Sequence, residues 1–348
     1  MKILILMSLF FDRFLFFNLL TMTSQLIEKY KNHPIVVRWF PMSCSHSHKW
    51  IHYRFYHTFK KLWFDTQRLA NTEENVSKVK KNSIIITFMW EYSHLMENYD
   101  KSRIIFPHHV DRQDYKKYSM DSKNIYLFNC VRFNRMKFTE KKIWQYITEF
   151  DCPVMSTEDY LFEERQIQLF WGCELLPDEM KREPYHYKNT KDVVFCGSWW
   201  HNNFIQLEKL RRYCITHWLK FHQYWKHLIL REPIFKHKYQ SYEELVKKTK
   251  GAYIAPAVQW VQADDGYIPD RLFINMSQSV LWVSNNPRVY RLFDEDEIIC
   301  DRNIGKMMEK AERVIKDRKV DEYTKKAFRK VKEKYTYINT IESLFSAL

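Results

Sequence analysis

The stretch "IVVRWFPMSCSHSHKWIHYRFYHTF", residues 35–59, holds two periodicities in succession. Ile35 to Phe40 is a short, β-rich apolar run, and beyond it Ile51, Phe55, Phe59 and Leu62 recur at helical spacing. Between them lies a polar loop with Cys44, Ser45, His46, Ser47, His48 and Lys49. Strand, loop and helix in that order are the opening unit of an α/β sheet.

The alternation continues outward from this stretch. Apolar runs at 83–90 (SIIITFMW), 103–109 (RIIFPHH), 124–130 (NIYLFNC) and 152–157 (CPVMST) are separated by polar, helix-compatible segments. Continuous apolar runs suit strands buried on both faces of a parallel sheet. A polar segment with two prolines, 175–191, breaks the pattern, which restarts with Val193-Val194-Phe195-Cys196 running into Gly197. The second half predicts a helix over 204–220, a strand near 227–230, a helix at 241–249 and a strand in 251–259. It then predicts a helix from about 270, a strand at 280–285 and long amphipathic helices to the end. The expected fold class is α/β, with two Rossmann-like domains, 31–185 and 186–348, facing across a cleft. The last helix is a candidate to return to the N-terminal domain, and residues 1–30 form an apolar N-terminal extension.

Length agrees, since 348 residues suit two cores of roughly 150 residues each. Lys and Arg number 56 against 42 Asp and Glu, a net charge of +14 that favours anionic partners such as nucleotides, nucleic acid or an acidic membrane surface. The basic residues are dispersed among acidic ones, and no zinc-finger, RNP or helix-turn-helix pattern is present, which speaks against nucleic acid. The seven cysteines are scattered without a CxxC pair, so a reducing cytoplasm is expected and a disulfide framework is not. Residues 1–22 are strongly apolar, but Asp12-Arg13 interrupts them and no small-residue cleavage site follows. They are read as an extension helix, with a membrane-surface anchor as the alternative.

An average chain of this length holds about 24 glycines, and this one has five. Gly197 directly follows a predicted strand, and Gly266, in "ADDGYIPDRLF", lies between a strand and a helix with Pro269 stiffening the approach. Both are expected at the carboxyl edge of a sheet, where open α/β folds bind ligands, although an ordinary turn would also explain each. Neither GxGxxG nor GxxxxGK[ST] occurs, which argues against dinucleotide oxidoreductases and P-loop NTPases. Asp294-Glu295-Asp296 spells a DxD, but its position beyond the last predicted strand marks it as a solvated acidic turn.

The histidines of 41–59 divide by position. His48 and His52 have the spacing of a zinc-binding helix, yet Lys49 stands where the catalytic glutamate belongs and no third ligand is evident. His52 and His57 fall within an aromatic helix and are read as structural. Ser45, His46, Ser47, His48 and Lys49 fall between a strand end and a helix start. Ser45 or Ser47 can cap the helix, and two imidazoles with an ammonium make a site for phosphate or for proton transfer from a hydroxyl.

The segments "SHSHKWIHYRFYHTFKKLWFDT", "NSIIIT", "TEDYLFEE", "LLPDEM", "VVFCGSWW" and "DDGYIPDRLFINMSQSVLWVSNN" together resemble a family of GT-B type glycosyltransferases known from large DNA viruses of algae and amoebae and from some bacteria. The resemblance runs from about 35 to 345 and rests on the order and spacing of the segments. It implies a metal-independent transferase, hexosyl or pentosyl, without cofactor, moving sugar from a UDP- or GDP-linked donor to a glycan or glycoprotein acceptor. A surface or capsid glycan made in the cytoplasm of an infected host cell is the implied setting. Carried over by residue, the resemblance assigns donor binding to Gly197, Ser198, Trp199 and His201 and to Tyr267, Ile268, Pro269, Asp270 and Arg271; Gly266 and Lys49 join them as donor-binding candidates from their own positions in the sequence. Catalysis falls to His46, with His48 and His109 as further candidates. Asn275 departs from the family by occupying the place of a ribose-binding glutamate, and the paired glutamates of the large retaining GT-B families are absent. Two alternatives stand beside this reading: a basic nucleic-acid-binding protein, and an inactive nucleotide-sugar-binding relative.

Overall fold

The computed structural model describes residues 25–39, 49–70, 77–88, 103–108, 124–126, 128–129, 167–168, 172–183, 191–196, 204–224, 249–259 and 268–348. The chain divides into two compact units. The first takes in Met1–Asn129, Leu161–Leu169 and Ile338–Leu348, and the second Cys130–Tyr160 and Phe170–Tyr337. Residues 172–183, on the N-terminal side of the boundary expected near 185, therefore group with the second unit.

The first unit is built on a parallel sheet of β1 (Ile35–Trp39), β2 (Thr66–Ala70), β3 (Ile84–Phe88), β4 (Ile104–His108), β5 (Phe128–Asn129) and β6 (Ile167–Gln168). Its order is β2-β1-β3-β4-β5-β6, with every neighbouring pair parallel. Ile35, Val36 and Val37 lie beside Ile84, Ile85 and Ile86, and all six are fully buried. Such residues can occupy only a central strand pair covered on both faces. Helix α1 (Lys49–Lys61) presses Ile51, Phe55 and Phe59 inward. Phe345, near the chain's end, packs its ring 6.1 Å from Phe59, 6.0 Å from Phe64 and 5.0 Å from Tyr30.

The second unit contains β7 (Asp192–Cys196), α2 (Phe204–Thr216), β8 (Lys220–Tyr224), β9 (Ala255–Ala257), α3 (Asp270–Met276), β10 (Trp282–Ser284) and β11 (Ile299–Cys300). Three longer C-terminal helices follow: α4 (Ile304–Lys316), α5 (Val320–Lys334) and α6 (Tyr337–Phe345), the last passing into the first unit after Tyr337. β7 pairs with β8, and β10 lies between β9 and β11, all in parallel. A parallel bridge between Val193 and Ile254, with Val194 N–H donating to Ile254 O at 3.0 Å, sets β7 beside the lead-in to β9. The strand sequence across the unit is thus β8-β7-β9-β10-β11. Leu207, Leu210 and Cys214 of α2 and Met307, Met308 and Ala311 of α4 enclose one core with Val193, Phe195, Ile254 and Val283. Tyr213 Oη donates to Glu312 Oε2 at 2.8 Å and ties α2 to α4.

Several sequence expectations require correction. The helix expected over 204–220 stops at Thr216, because Trp218 turns to φ 55° and Leu219 N–H closes on Cys214 O at 2.8 Å, so that Lys220–Tyr224 is already a strand. The strand expected near 227–230, most of the helix expected at 241–249 and the strand expected at 152–157 lie outside the described residues. Strands β2, β6 and β11 were not anticipated. β2 reads "TQRLA" and lies at the sheet edge, where a polar composition is tolerated. The acidic turn 294–296 precedes β11 instead of following the last strand. Lys330 bonds Asp294 at 3.0 Å and Glu297 at 2.6 Å, while Lys326 bonds Asp296, so these carboxylates are held by lysines of α5.

Candidate functional site

In both units the strand order reverses next to the first strand. β1 has β2 on one side and β3 on the other, and β7 has β8 on one side and β9 on the other. The connection from β1 leads to β2 on one side and that from β3 to β4 on the other, as those from β7 and β9 lead to β8 and β10, and such a reversal opens a crevice beyond the carboxyl ends of β1 and β3 and beyond those of β7 and β9. Each expected functional segment can be placed against these two crevices.

In the first unit β1 ends at Trp39 and α1 begins at Lys49. The loop carrying His46 and His48 therefore leaves the carboxyl end of the switch strand, although both residues lie outside the described ones. His109 directly follows β4 and also lies outside them. β3 alone separates β1 from β4, so the two exits are about 10 Å apart at the usual strand spacing. Lys49 is the first residue of α1. His52 is fully buried in α1, with its ring 6.4 Å from that of Phe55, and the His57 ring lies 4.0 Å from that of Tyr53, tilted by 58°. Burial, reinforced by Lys61 and Arg68, holds the His57 imidazole below the ordinary histidine value.

In the second unit β7 ends at Cys196, where the segment of Gly197, Ser198, Trp199 and His201 begins. β9 ends at Ala257, and its chain returns at Ile268 after the segment with Gly266 and Tyr267. All six of those glycine-loop residues lie outside the described ones. Ile268 and Pro269 are buried, and Pro269 O accepts from Leu272 N–H at 3.0 Å. Asp270 and Arg271 open α3, and Asn275 lies one turn on. Because β7 and β9 are adjacent and parallel, the two glycine-bearing segments leave neighbouring strand ends, about 5 Å apart.

A buried polar floor under this second crevice was not foreseen from the sequence. Asn285, the residue after β10, donates from Nδ2 to Gln259 O at 2.6 Å and accepts at Oδ1 from Gln259 N–H at 2.8 Å. The pair is nearly inaccessible to solvent. Asn286 accepts from Arg288 N–H at 3.1 Å and caps the 3-10 turn Pro287–Arg291. Cys196 Sγ lies 3.4 Å from Thr249 Oγ1, and burial raises the Tyr224 phenol at the end of β8. The one available signal was an Asn-Asn pair directly after an apolar strand. The four described cysteines, Cys173, Cys196, Cys214 and Cys300, are free thiols, and burial pushes Cys214 up to about 12.

No family model matches the sequence, and no curated protein does. Among solved structures, T4 phage BGT in complex with its UDP-glucose substrate aligns at a TM-score of 0.51 with 8% identity, over 90% of this chain and 97% of that one. The fold is GT-B. An α1,3-fucosyltransferase aligns at 0.42 with 10% identity, covering 86% of this chain and 81% of its own, and the spinosyn forosaminyltransferase SpnP at 0.43 with 8% identity, covering 90% and 98%. In GT-B terms the two units are the two Rossmann-like halves, each with its own switch-point crevice.

Proposed function

We propose that this chain is a glycosyltransferase that moves a sugar from a UDP- or GDP-linked donor, bound by the second unit, to a glycan or glycoprotein acceptor bound by the first. The observation that carries the reading is the adjacency of β7 and β9, which gives the Gly197 and Gly266–Arg271 segments neighbouring exits at one switch point. A fold shared with a UDP-glucose-bound protein over nearly its whole length supports the choice by analogy.

In the proposed reaction the acceptor hydroxyl oxygen bonds to the anomeric carbon and the bond from that carbon to the diphosphate oxygen breaks. The nucleoside diphosphate leaves with the electron pair, and the hydroxyl proton passes to His46, or in its place to His48 or His109. Arg271 meets the diphosphate with charge-assisted hydrogen bonds. Basic side chains and backbone N–H groups take the part that a metal plays elsewhere. Asn275 supplies a neutral contact to the ribose.

Thermal shift with UDP, GDP and an oligonucleotide, followed by a transfer assay in EDTA, tests this reading. Nucleotide-selective stabilisation and transfer that persists in EDTA are expected. Stabilisation by the oligonucleotide alone would overturn the reading, activity lost to EDTA and restored by manganese would remove its metal-independent part, and nucleotide binding without any transfer would leave an inactive relative.

A further inference from the structure

Helices α1 and α2 end in the same way. After α1, Phe64 N–H donates to Phe59 O at 3.1 Å and Trp63 stands at φ 63°. After α2, Leu219 N–H donates to Cys214 O at 2.8 Å and Trp218 stands at φ 55°. These are Schellman turns with tryptophan at the left-handed position that favours glycine. Arg318 holds a similar conformation after α4, so this glycine-poor chain fills such positions with side chains. An arginine there keeps its charge in water, but a tryptophan exposes its largest apolar surface. Trp63 is 86% exposed and Trp218 89%, and the fold gains no packing from either indole.

The setting of Trp63 is distinctive. Helix α1 runs back from the carboxyl edge, so Trp63 lies at the amino edge of the first sheet, opposite the candidate crevice. Segments 28–33, 60–65 and 78–82, which precede β1, β2 and β3, hold seven lysines against two acids, a net charge of +5. They are joined to one another: Lys31 Nζ donates to Leu62 O, Lys80 bonds Asp65 at 2.6 Å, and His33 Nδ1 lies 2.9 Å from Asn82 O. Lys60, Lys78, Lys80 and Lys81 are exposed. The apolar sequence 1–22 leads into the helix at 25–29, whose chain enters this same edge at β1. Among the described residues no helix is long and apolar enough to cross a membrane. Among the described residues the corresponding positions of the second unit hold Lys191, Lys250, which is paired with Glu183 at 2.6 Å, and Lys220 at the start of β8; Lys188, Lys247 and Lys248 lie outside the described residues, and the sequence leading into β7 is polar.

We propose that the amino edge of the first unit, centred on Trp63, docks on an anionic lipid surface. The Trp63 indole seats at headgroup level and the surrounding lysines supply the electrostatic attraction. This inference goes beyond glycosyl transfer and stands or falls independently of it.

Sedimentation of the full chain with phosphatidylcholine vesicles, with and without phosphatidylserine, tests the proposal. Binding is expected only with phosphatidylserine and should weaken as salt rises. Trp63→Gly should reduce that binding about tenfold or more while melting no lower than the parent, because glycine suits φ 63°. Lys78→Glu with Lys81→Glu should also reduce it at least about tenfold, and Trp218→Gly should leave it unchanged. Equal binding to neutral vesicles, parental binding by Trp63→Gly or an equal loss in Trp218→Gly would overturn the proposal. So would Trp63-dependent binding of an oligonucleotide, or Trp63-dependent self-association, in the absence of vesicle binding.

Discussion

Asn285 grips the backbone of Gln259 from both sides, donating to its carbonyl at 2.6 Å and accepting from its N–H at 2.8 Å. The carboxamide thereby fixes the point from which the chain leaves β9 towards Asp264, Asp265 and Gly266. Asn285→Ala leaves two buried backbone groups without this partner and should cost about 2 kcal/mol of stability. Asn285→Asp should cost more, since a carboxylate oxygen then faces the Gln259 carbonyl. In both variants the affinity for nucleoside diphosphate should fall further than the loss of folded protein explains, which denaturant titration and calorimetry together would measure.

Gly172 permits a backbone crossing. A Cβ there would lie 2.4 Å from the Thr336 carbonyl carbon and 2.7 Å from Tyr337 N, while Cys173 N–H donates to Tyr335 O at 2.7 Å and Tyr337 N–H to Cys173 O at 2.9 Å. Neither strand of this crossing can yield without breaking those bonds. Gly172→Ala should therefore destabilise the second unit by about 1–3 kcal/mol, as overpacking does, and lower the melting temperature without an active-site substitution.

The proposed division of labour among histidines is testable by alanine replacement. Loss of the general base should lower turnover about 10²- to 10⁴-fold while sparing nucleotide affinity. His46→Ala is expected to show this, with His48→Ala and His109→Ala as the comparison and His57→Ala as a structural control. If none of the three falls further than the control, the loop after β1 has no catalytic role.

Arg271 occupies the first turn of α3 beyond the carboxyl end of β9. Arg271→Ala should weaken nucleoside diphosphate binding by about 1.5–3 kcal/mol, the range of a charged hydrogen bond, with little change in melting temperature. Unchanged affinity by calorimetry would place the diphosphate elsewhere.

His57 gives the first unit a sensitivity to acid. Its folded pKa is lowered by burial and by Lys61 and Arg68, so above about pH 6.5 the ring is neutral in both folded and unfolded chains and contributes no pH dependence. As pH falls below that value the unfolded chain takes up the proton first, and stability declines until the folded pKa is passed. His57→Gln should flatten the dependence of melting temperature on pH just below about 6.5; an unchanged slope would show that another group is responsible.

The sequence by itself determined the elements that are buried on every side. Ile35-Val36-Val37, Ile84-Ile85-Ile86 and Val193-Val194-Phe195 are central strands because such runs have no polar face to offer water, and Ile51, Phe55 and Phe59 mark one buried helix face. The positions of the His46 loop and the Gly197 turn between strand and helix follow from the same local signals. What the tertiary structure decided depends on partners distant in the chain. "TQRLA" is a strand because β1 offers it an edge, and Lys220–Tyr224 is a strand because β7 does, although the helical pattern of 204–220 runs up to its first residue. The order β2-β1-β3 and β8-β7-β9, which creates both crevices, arises from the direction in which each crossover packs. So do the Asn285 clamp on Gln259 and the basic amino edge around Trp63. Local periodicity records how deeply a segment is buried, and only long-range packing determines which segments it is buried beside.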